Sequence, residues 1–158
     1  MRLRKEQTGM YSKILIATDG SPLAGKAVFH GIALAKAVGS RVAIVSVTEM
    51  WSALEISRKA GLGEGKEAIA VFERIAAEHA SRHLAAAGES AGKAGVEFET
   101  HHIADQRPSD GILQVAREAG CDLIVMATHG RRGIDRVLLG SQTNEVVTRS
   151  QIPVLVLR

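Results

Sequence analysis

Short apolar runs alternate with longer helical stretches along this chain, and that alternation limits its fold more than any other feature. Four of the runs are rich in Val, Ile and Leu, which predicts strands buried on both faces. They span residues 13–18, 41–47, 121–128 and 152–157. A fifth run, 96–102, alternates apolar and polar residues, so we expect a half-exposed strand at a sheet edge. Strands that alternate with helices predict parallel pairing, because each crossover helix returns the chain to the same end of the sheet.

The stretches between these runs carry the start and stop signals of helices. In the first stretch, Ser21 is a favourable N-cap, Pro22 a favourable first helical residue and Gly39 a stop signal. The predicted helices span about residues 22–38, 64–94, 108–119 and 140–150. The sequence therefore predicts an α/β fold, with a doubly wound five-stranded parallel sheet and helices on both faces. By analogy with similar doubly wound folds, the expected strand order is 3-2-1-4-5. Ligands of such sheets bind where the strand order reverses, which here is after the first and fourth strands.

Composition agrees with this fold and argues against several other classes of protein. Of the 158 residues, 46% are hydrophobic and only 3% are aromatic, so Ala, Val, Ile and Leu must form the core. We expect one domain over residues 10–158 after a disordered polar leader over 1–9. Basic and acidic residues are interspersed and aromatic stacking residues are few, so no nucleic acid partner is expected. No signal segment, membrane span or cysteine pair is evident, so we expect no membrane partner and a cytoplasmic location.

Glycines and a helix start follow the fourth strand. Residues 127–133 are Ala-Thr-His-Gly-Arg-Arg-Gly, and Gly140 with Ser141 opens the last helix. Glycine lets the backbone turn its amides toward an anion, and a helix N-terminus adds unpaired N–H groups and a positive dipole end. The sequence therefore predicts a phosphate site, with Arg131 or Arg132 at its rim. The alternative is that the glycines only shape a loop and Ser141 only caps the helix.

Asp19 follows the first strand, so it lies at the same edge of the predicted sheet. Its carboxylate can accept hydrogen bonds from a ribose or an adenine amino group, or help to hold a metal ion. The alternative is a turn aspartate that supports the start of the first helix.

Three segments together resemble the universal stress protein family: ATDGSP, LIVMATHGRRGIDRVLLGSQTNEVVTRS and the closing PVLVL. The likeness extends from Met10 to Arg158 and implies a Rossmann-like fold of the adenine nucleotide alpha-hydrolase type. In the nucleotide-binding branch of that family, the loop has a glycine, two residues, a second glycine, nine residues, and then Gly with Ser or Thr. Gly130, Gly140 and Ser141 match this pattern, whereas Ala127 replaces the first glycine.

The resemblance also implies a ligand and the residues that bind it. The implied ligand is ATP, ADP or AMP, with or without Mg²⁺. The implied contacts to the base, ribose and phosphates are Thr18, Asp19, Val47, Met126, Ala127, His129, Gly130, Gly140, Ser141, Gln142 and Thr143. Several of these would act through their backbones, which matters at Gln142, where a smaller residue is common in the family.

Other candidate sites are weaker. Residues 60–67 resemble a Walker loop only distantly, because the first glycine and the hydroxyl residue that binds Mg²⁺ are both replaced. His79 and His83 are four residues apart on the second helix, and without an evident third ligand we expect a solvated helix face. Cys121 is expected to be a small core residue. The irregular connection over 49–63 is interpreted as a mobile flap near the site.

No catalytic triad, HExxH, CxxC or complete Walker lysine is present in the sequence, which favours a binding module over an enzyme. The first hypothesis is a stress-response regulator whose occupancy by nucleotide alters its partners or its dimer. One alternative is a slow Mg²⁺-dependent ATPase or nucleotide-transfer enzyme. The other is a family member without nucleotide that acts by protein contacts only.

The last strand predicts a mode of assembly. In the order 3-2-1-4-5, residues 152–157 lie at a sheet edge, which suits Pro153 because it has no backbone N–H to donate. The remainder of that strand is apolar, and an open apolar edge invites aggregation. We therefore expect a two-fold homodimer that pairs this strand with its own copy, and the family resemblance implies the same dimer.

Overall fold

The computed structural model describes residues 9–49, 66–129 and 139–158. Strands β1 to β5 span Lys13–Ala17, Arg41–Thr48, Phe98–Ala104, Leu123–Ala127 and Val154–Leu157. Helices α1 to α4 span Pro22–Val38, Lys66–Lys93, Pro108–Glu118 and Ser141–Arg149. The predicted leader and flap lie almost wholly outside the described residues, and so do the Walker-like stretch up to Gly65 and the loop over 130–138. Among the residues that are described, no helix combines the length and apolar character that a membrane crossing needs.

All five strands are parallel and lie in the order β3-β2-β1-β4-β5. This confirms the doubly wound α/β fold predicted from the alternation of elements and the strand order expected by analogy with similar folds. The central strands β1 and β4 are buried along their whole length and pair directly, with Leu15 opposite Ile124. The chain order reverses between these two strands, so their carboxyl ends flank the point where doubly wound sheets bind ligands.

Each face of the sheet is covered by two helices. Ile14 and Ile16 of β1 point to one face and pack in a cluster with buried residues of α1 and α2. Leu15 and Ala17 point to the other face and pack with buried residues of α3 and α4. This division follows from the alternation of side chains along a strand, and it leaves the carboxyl edge of the sheet between the two layers.

Strands β3 and β4 begin later than predicted because the preceding helix ends use the residues in question. Gly95 and Gly120 have left-handed backbones, with φ of 74° and 66°. The amides of Val96 and Cys121, the residues that follow them, donate to helix carbonyls, at 2.9 Å to Ala91 and at 2.8 Å to Ala116. These residues therefore complete helix C-terminal turns instead of opening strands.

The two edge strands have different environments. Strand β3 lies at a sheet edge, as predicted, but it is mostly exposed and not half-exposed as its alternating sequence predicts. Strand β5 is only partly buried, and Leu155 is 39% exposed. The prediction that the last apolar run is buried on both faces is therefore wrong for the single chain, because β5 has a strand neighbour on one side only.

The single cysteine lies inside the molecule. Cys121 packs in the core cluster beneath α3 and α4, which confirms the expectation of a core residue. Burial raises the pKa of its thiol to about 11, since the thiolate would lose its hydration.

Candidate functional site

The candidate site lies where β1 and β4 end. Thr18 and Thr128 are the first residues after these strands, and both are buried. Their amides still donate to neighbouring strands, Thr18 to Val45 at 2.9 Å and Thr128 to Leu157 at 2.8 Å. The backbone therefore stays aligned with the sheet up to these two threonines and turns away only after them.

The turn after β1 is held by its own side chains. The amide of Gly20 donates to Thr18 Oγ1 at 3.2 Å, and the amide of Ser21 donates to Asp19 Oδ1 at 2.9 Å. Ser21 Oγ then accepts the amide of Ala24 at 3.2 Å, so Ser21 is the predicted N-cap of α1. Asp19 thus performs the turn-supporting role that was one of its two interpretations. Because a carboxylate has about four lone-pair sites, this bond does not use up its capacity to accept from a ligand.

The start of α4 is built differently. Gly140 is the N-cap residue, makes no side-chain capping bond, and its amide donates to Thr128 O at 2.9 Å. Ser141 is the first helical residue and is exposed, so the alternative interpretation of Ser141 as the N-cap is wrong. The first amides of a helix have no carbonyl partner within the helix, which suits this end to an anion.

Gly140 fits closely against the end of β4. A Cβ atom placed on Gly140 would lie 3.0 Å from Thr128 O and 3.3 Å from His129 Cβ. Its φ of −58° is ordinary for any residue, so the close approach and not the backbone conformation favours glycine here. The glycine brings the first turn of α4 directly against the end of β4.

Several predicted site residues have side chains that are engaged within the protein. Met126 and Ala127 are buried in β4, and Thr143 is buried with its hydroxyl donating to Ala127 O at 3.0 Å. Val47 packs against α3, where a Cβ on Gly111 would lie 2.7 Å from Val47 Cγ2. At the carboxyl edge, Met126, Ala127 and Val47 therefore have only their backbone groups to offer to a ligand.

Gln142 links α4 to the start of α3. Its side-chain Oε1 accepts the amide of Ser109 at 3.0 Å, and one turn later Glu145 accepts the Ser109 hydroxyl at 2.9 Å. Arg107 forms an ion pair with the same glutamate. The hydrogen bond from Ser109, together with the positive charge of Arg107, holds the pKa of Glu145 below its usual range. The side chain of Gln142 is thus anchored to α3 through its carbonyl oxygen, and its backbone amide can serve the predicted ligand contact.

His129 and Gly130 complete the residues predicted after β4. His129 Nδ1 lies 3.1 Å from Thr128 Oγ1, which fits the supporting, loop-shaping role expected of it. Gly130 lies outside the described residues, as do Arg131 and Arg132 at the predicted rim. The described part of the predicted phosphate site is therefore Gly140 to Thr143 with the end of β4.

Helix α2 supplies a residue that the sequence did not connect with this site. A Cβ placed on Gly20 would lie only 2.2 Å from His83 Nε2, so the imidazole rests directly on the turn after β1. His79 is exposed, as expected of a solvated face, but that expectation is wrong for half-buried His83. Among the described residues, no three metal-ligating side chains come together. Positions 20 and 83 are far apart in sequence, and no spacing within the helix indicates their contact.

Comparison with known proteins identifies relatives of this chain. A model of the universal stress protein family matches residues 10–158. Universal stress protein MJ0531 of Methanocaldococcus jannaschii is 31% identical over 150 residues, which cover 94% of this chain and 83% of that protein. YxiE, a universal stress protein of Bacillus subtilis, is 30% identical over 149 residues, which cover 94% of this chain and all of YxiE.

Solved structures share the fold. MJ0577, another universal stress protein of Methanocaldococcus jannaschii, has a TM-score of 0.76 at 26% identity, covering 94% of this chain and 96% of that chain. The universal stress protein of Archaeoglobus fulgidus in complex with dAMP has a TM-score of 0.63 at 23% identity, covering 94% and 98%. A universal stress protein in complex with cAMP has a TM-score of 0.64 at 24% identity, covering 92% and 95%. The family model and these sequence relatives show that the chain belongs to the universal stress protein family.

Proposed function

We propose that this protein is a cytoplasmic regulatory module of the stress response that binds ATP, ADP or AMP where β1 and β4 end. One observation carries the proposal. The uncapped start of α4, held against Thr128 by the amide of Gly140, lies at the same reversal point of the sheet as the Asp19 turn. The two turns offer the two kinds of group that a nucleotide needs, namely donors for phosphate and an acceptor for base or ribose.

The phosphates are proposed to bind at the start of α4. The backbone amides of Gly140, Ser141 and Gln142 and the exposed hydroxyl of Ser141 are the proposed donors, with Gly130 completing the site. The positive end of the helix dipole adds to the attraction of a polyphosphate. The hydroxyl of Thr143 anchors the start of α4 to β4 by donating a hydrogen bond to the carbonyl of Ala127.

The base and ribose are proposed to bind on the side of β1 and β2. Asp19 is the proposed acceptor for an adenine amino group or a ribose hydroxyl, beside the backbones of Thr18 and Val47. The complexes of two family members with dAMP and cAMP support an adenine nucleotide as the ligand.

Ala127, the residue that departs from the family pattern, has no unusual conformation. It lies within β4, and Asp105 is the single non-glycine residue with positive φ in the described ranges. A position that needs glycine for its backbone would show positive φ. The alanine therefore gives no conformational reason to prefer the alternative in which the protein binds no nucleotide.

The proposal is tested by identifying and titrating the ligand. The purified protein is heat-denatured and any released nucleotide is identified by mass spectrometry. Isothermal titration calorimetry then measures the affinity for ATP, ADP and AMP, with and without Mg²⁺. Binding without turnover supports a regulatory module. ATP turnover that is abolished by D19N and S141A would favour the ATPase alternative over the regulatory module. The proposal would be overturned if the protein bound no adenine nucleotide.

Homodimer formation through residues 152–157 is part of the proposal. Leu155 is 39% exposed, and β5 is paired with β4 on one side only, so the strand has an open, apolar edge. A second copy in antiparallel register would pair this edge and cover the side chains through one self-complementary patch. Light scattering of the V154K/V156K double variant is expected to report a monomer. An intact dimer in that variant would rule out this interface.

A further inference from the structure

Helix α2 is longer than the sheet it covers. Its 28 residues span about 42 Å, at about 1.5 Å per residue. Its buried residues begin at Ala80 and continue with Leu84, Ala87 and Ala91, whereas none of residues 69–79 is buried. A crossover helix runs antiparallel to the strands it joins, so the unburied part of α2 extends past the carboxyl edge of the sheet. That is the edge where the candidate site lies.

His83 lies at the point where α2 leaves the sheet. It follows Ala80 by three positions and precedes Ala87 by four, so it shares the inward stripe of the helix. The buried members of that stripe are Ala, Leu or Gly, which makes an imidazole at this place unusual. His83 is only half-buried, since it faces the turn after β1 instead of the apolar core.

The contact with Gly20 is close and involves the far edge of the ring. A Cβ on Gly20 would lie 2.2 Å from His83 Nε2, 2.3 Å from Cε1 and 2.4 Å from Cδ2. Gly20 also has φ of 75°, a left-handed backbone that disfavours other residues. Two independent requirements therefore fix glycine at this position, and one of them is the imidazole itself.

Gly20 follows Asp19, and the position of one determines that of the other. The turn is defined by the bonds from Gly20 to Thr18 and from Ser21 to Asp19. A ring that rests on Gly20 restricts how far this turn can move toward α2. The direction of the Asp19 carboxylate is thereby tied to the position of His83.

We propose that His83 is a positioning residue of the nucleotide site, because its imidazole rests on Gly20 and so holds Asp19 toward the base and ribose. This inference depends on the proposed function, since it assigns a role within the same site. It adds α2 to the elements that form the site, next to the ends of β1, β2 and β4 and the start of α4. His83 acts through the turn and at the base end, so it affects the phosphate end only indirectly.

A double-mutant cycle tests this role. Calorimetry measures the affinity for ATP and for adenosine in H83A, in D19N and S141A, and in the combinations of H83A with each. H83A is expected to lower the affinity for ATP and the affinity for adenosine by the same factor, about fivefold to tenfold. In the D19N background, H83A is expected to cause little further loss of affinity. In the S141A background, H83A is expected to lower ATP affinity by the same factor as in the parent protein. General damage to the fold would not produce this difference between the two backgrounds.

H79A is the matched control, because His79 is an exposed imidazole one turn away on the same helix. Its affinity for ATP is expected to stay within about twofold of the parent protein. Thermal melts of every variant identify losses that come from unfolding, and H83N replaces H83A if the latter does not fold. The role of His83 would be overturned if H83A, or H83N in its place, bound ATP and adenosine as tightly as the parent protein. It would also be overturned if H83A caused its full loss of affinity in the D19N background. A parent protein that binds neither ligand would overturn the proposed function itself, which is a distinct result.

Discussion

The two turns that flank the candidate site satisfy their backbone N–H groups in opposite ways. After β1, the side chains of Thr18, Asp19 and Ser21 each accept a backbone amide within the turn or the first turn of α1. After β4, the helix begins at Gly140 with no side-chain cap. A self-capped turn is set before any ligand arrives, whereas an uncapped helix start keeps amides available for one. The turn after β1 is the base end of the proposed nucleotide site, and the start of α4 is its phosphate end. Under that proposal the base end is fixed in advance, whereas the phosphate end gains its hydrogen bonds on binding.

The largest effect is expected where a substitution breaks the fixed turn. In G20A, the new Cβ meets His83 at 2.2 Å on a backbone of φ 75°. The left-handed conformation costs about 1 kcal/mol and the displacement of the imidazole about 1 kcal/mol more, so we expect about 2 kcal/mol of lost stability. Urea denaturation measures the loss. As a control, G25A places its Cβ in open space on α1 and is expected to be neutral or stabilising.

The next effect concerns the uncapped helix start. In G140V, the added side chain meets Thr128 O at 3.0 Å and pushes the first turn of α4 away from β4. We expect ATP affinity to fall about tenfold, or about 1.4 kcal/mol, with a smaller change in stability. Calorimetry and urea denaturation of the same samples separate the two quantities. Unchanged ATP affinity would contradict the assignment of phosphates to this helix.

A smaller effect is expected from the cap of α1. S21A removes the acceptor of the Ala24 amide, and loss of such a cap costs about 1 kcal/mol. If the turn is as fixed as its other bonds indicate, ATP affinity should change by less than about twofold. A large loss of affinity in S21A with little loss of stability would show that the turn is not set before the ligand binds.

The smallest effect is a pH dependence at the phosphate end, where Glu145 and Gln142 hold the start of α3 against α4. The folded-state pKa of Glu145 lies below the ordinary 4.5, chiefly through the hydrogen bond from Ser109. A lowered pKa means that the stabilising effect is present above about pH 4.5 and is lost as the pH falls through the folded-state value. The urea midpoint should therefore fall on acidification, and by less in E145Q than in the parent. An equal fall in both would remove Glu145 as a cause.

The base end and the phosphate end also differ in how much of them the sequence predicts. Turn and cap signals depend on neighbouring residues, so the roles of Ser21 and Pro22 follow from local patterns. The alternation of elements indicates parallel strands, but their order is expected only by analogy with other doubly wound folds. The contacts of His83 with Gly20 and of Gln142 with Ser109 join distant segments, and their geometry depends on how the helices pack. Gln142 and Glu145 do lie three residues apart on one helix face, a spacing that indicates a shared partner without identifying it.

The two late strand starts show a related limit. Val96 and Cys121 have apolar side chains and follow glycines, so composition alone assigns them to strands. Their amides belong to the preceding helices, since a left-handed glycine turns the next N–H back toward a helix carbonyl. A glycine stop signal therefore predicts where the helix ends more reliably than where the next strand begins.

The buried position of Cys121 has a practical consequence for experiments on this protein. With a pKa of about 11, only about one thiol in ten thousand is ionised at pH 7, and the folded chain also shields it from reagents. It is the single cysteine of the sequence. An alkylating reagent should therefore modify Cys121 only when the molecule opens, so the rate of modification reports the rate of unfolding. A cysteine introduced at an exposed position such as His79 would react first, so one fluorophore can be attached there without removing the native thiol.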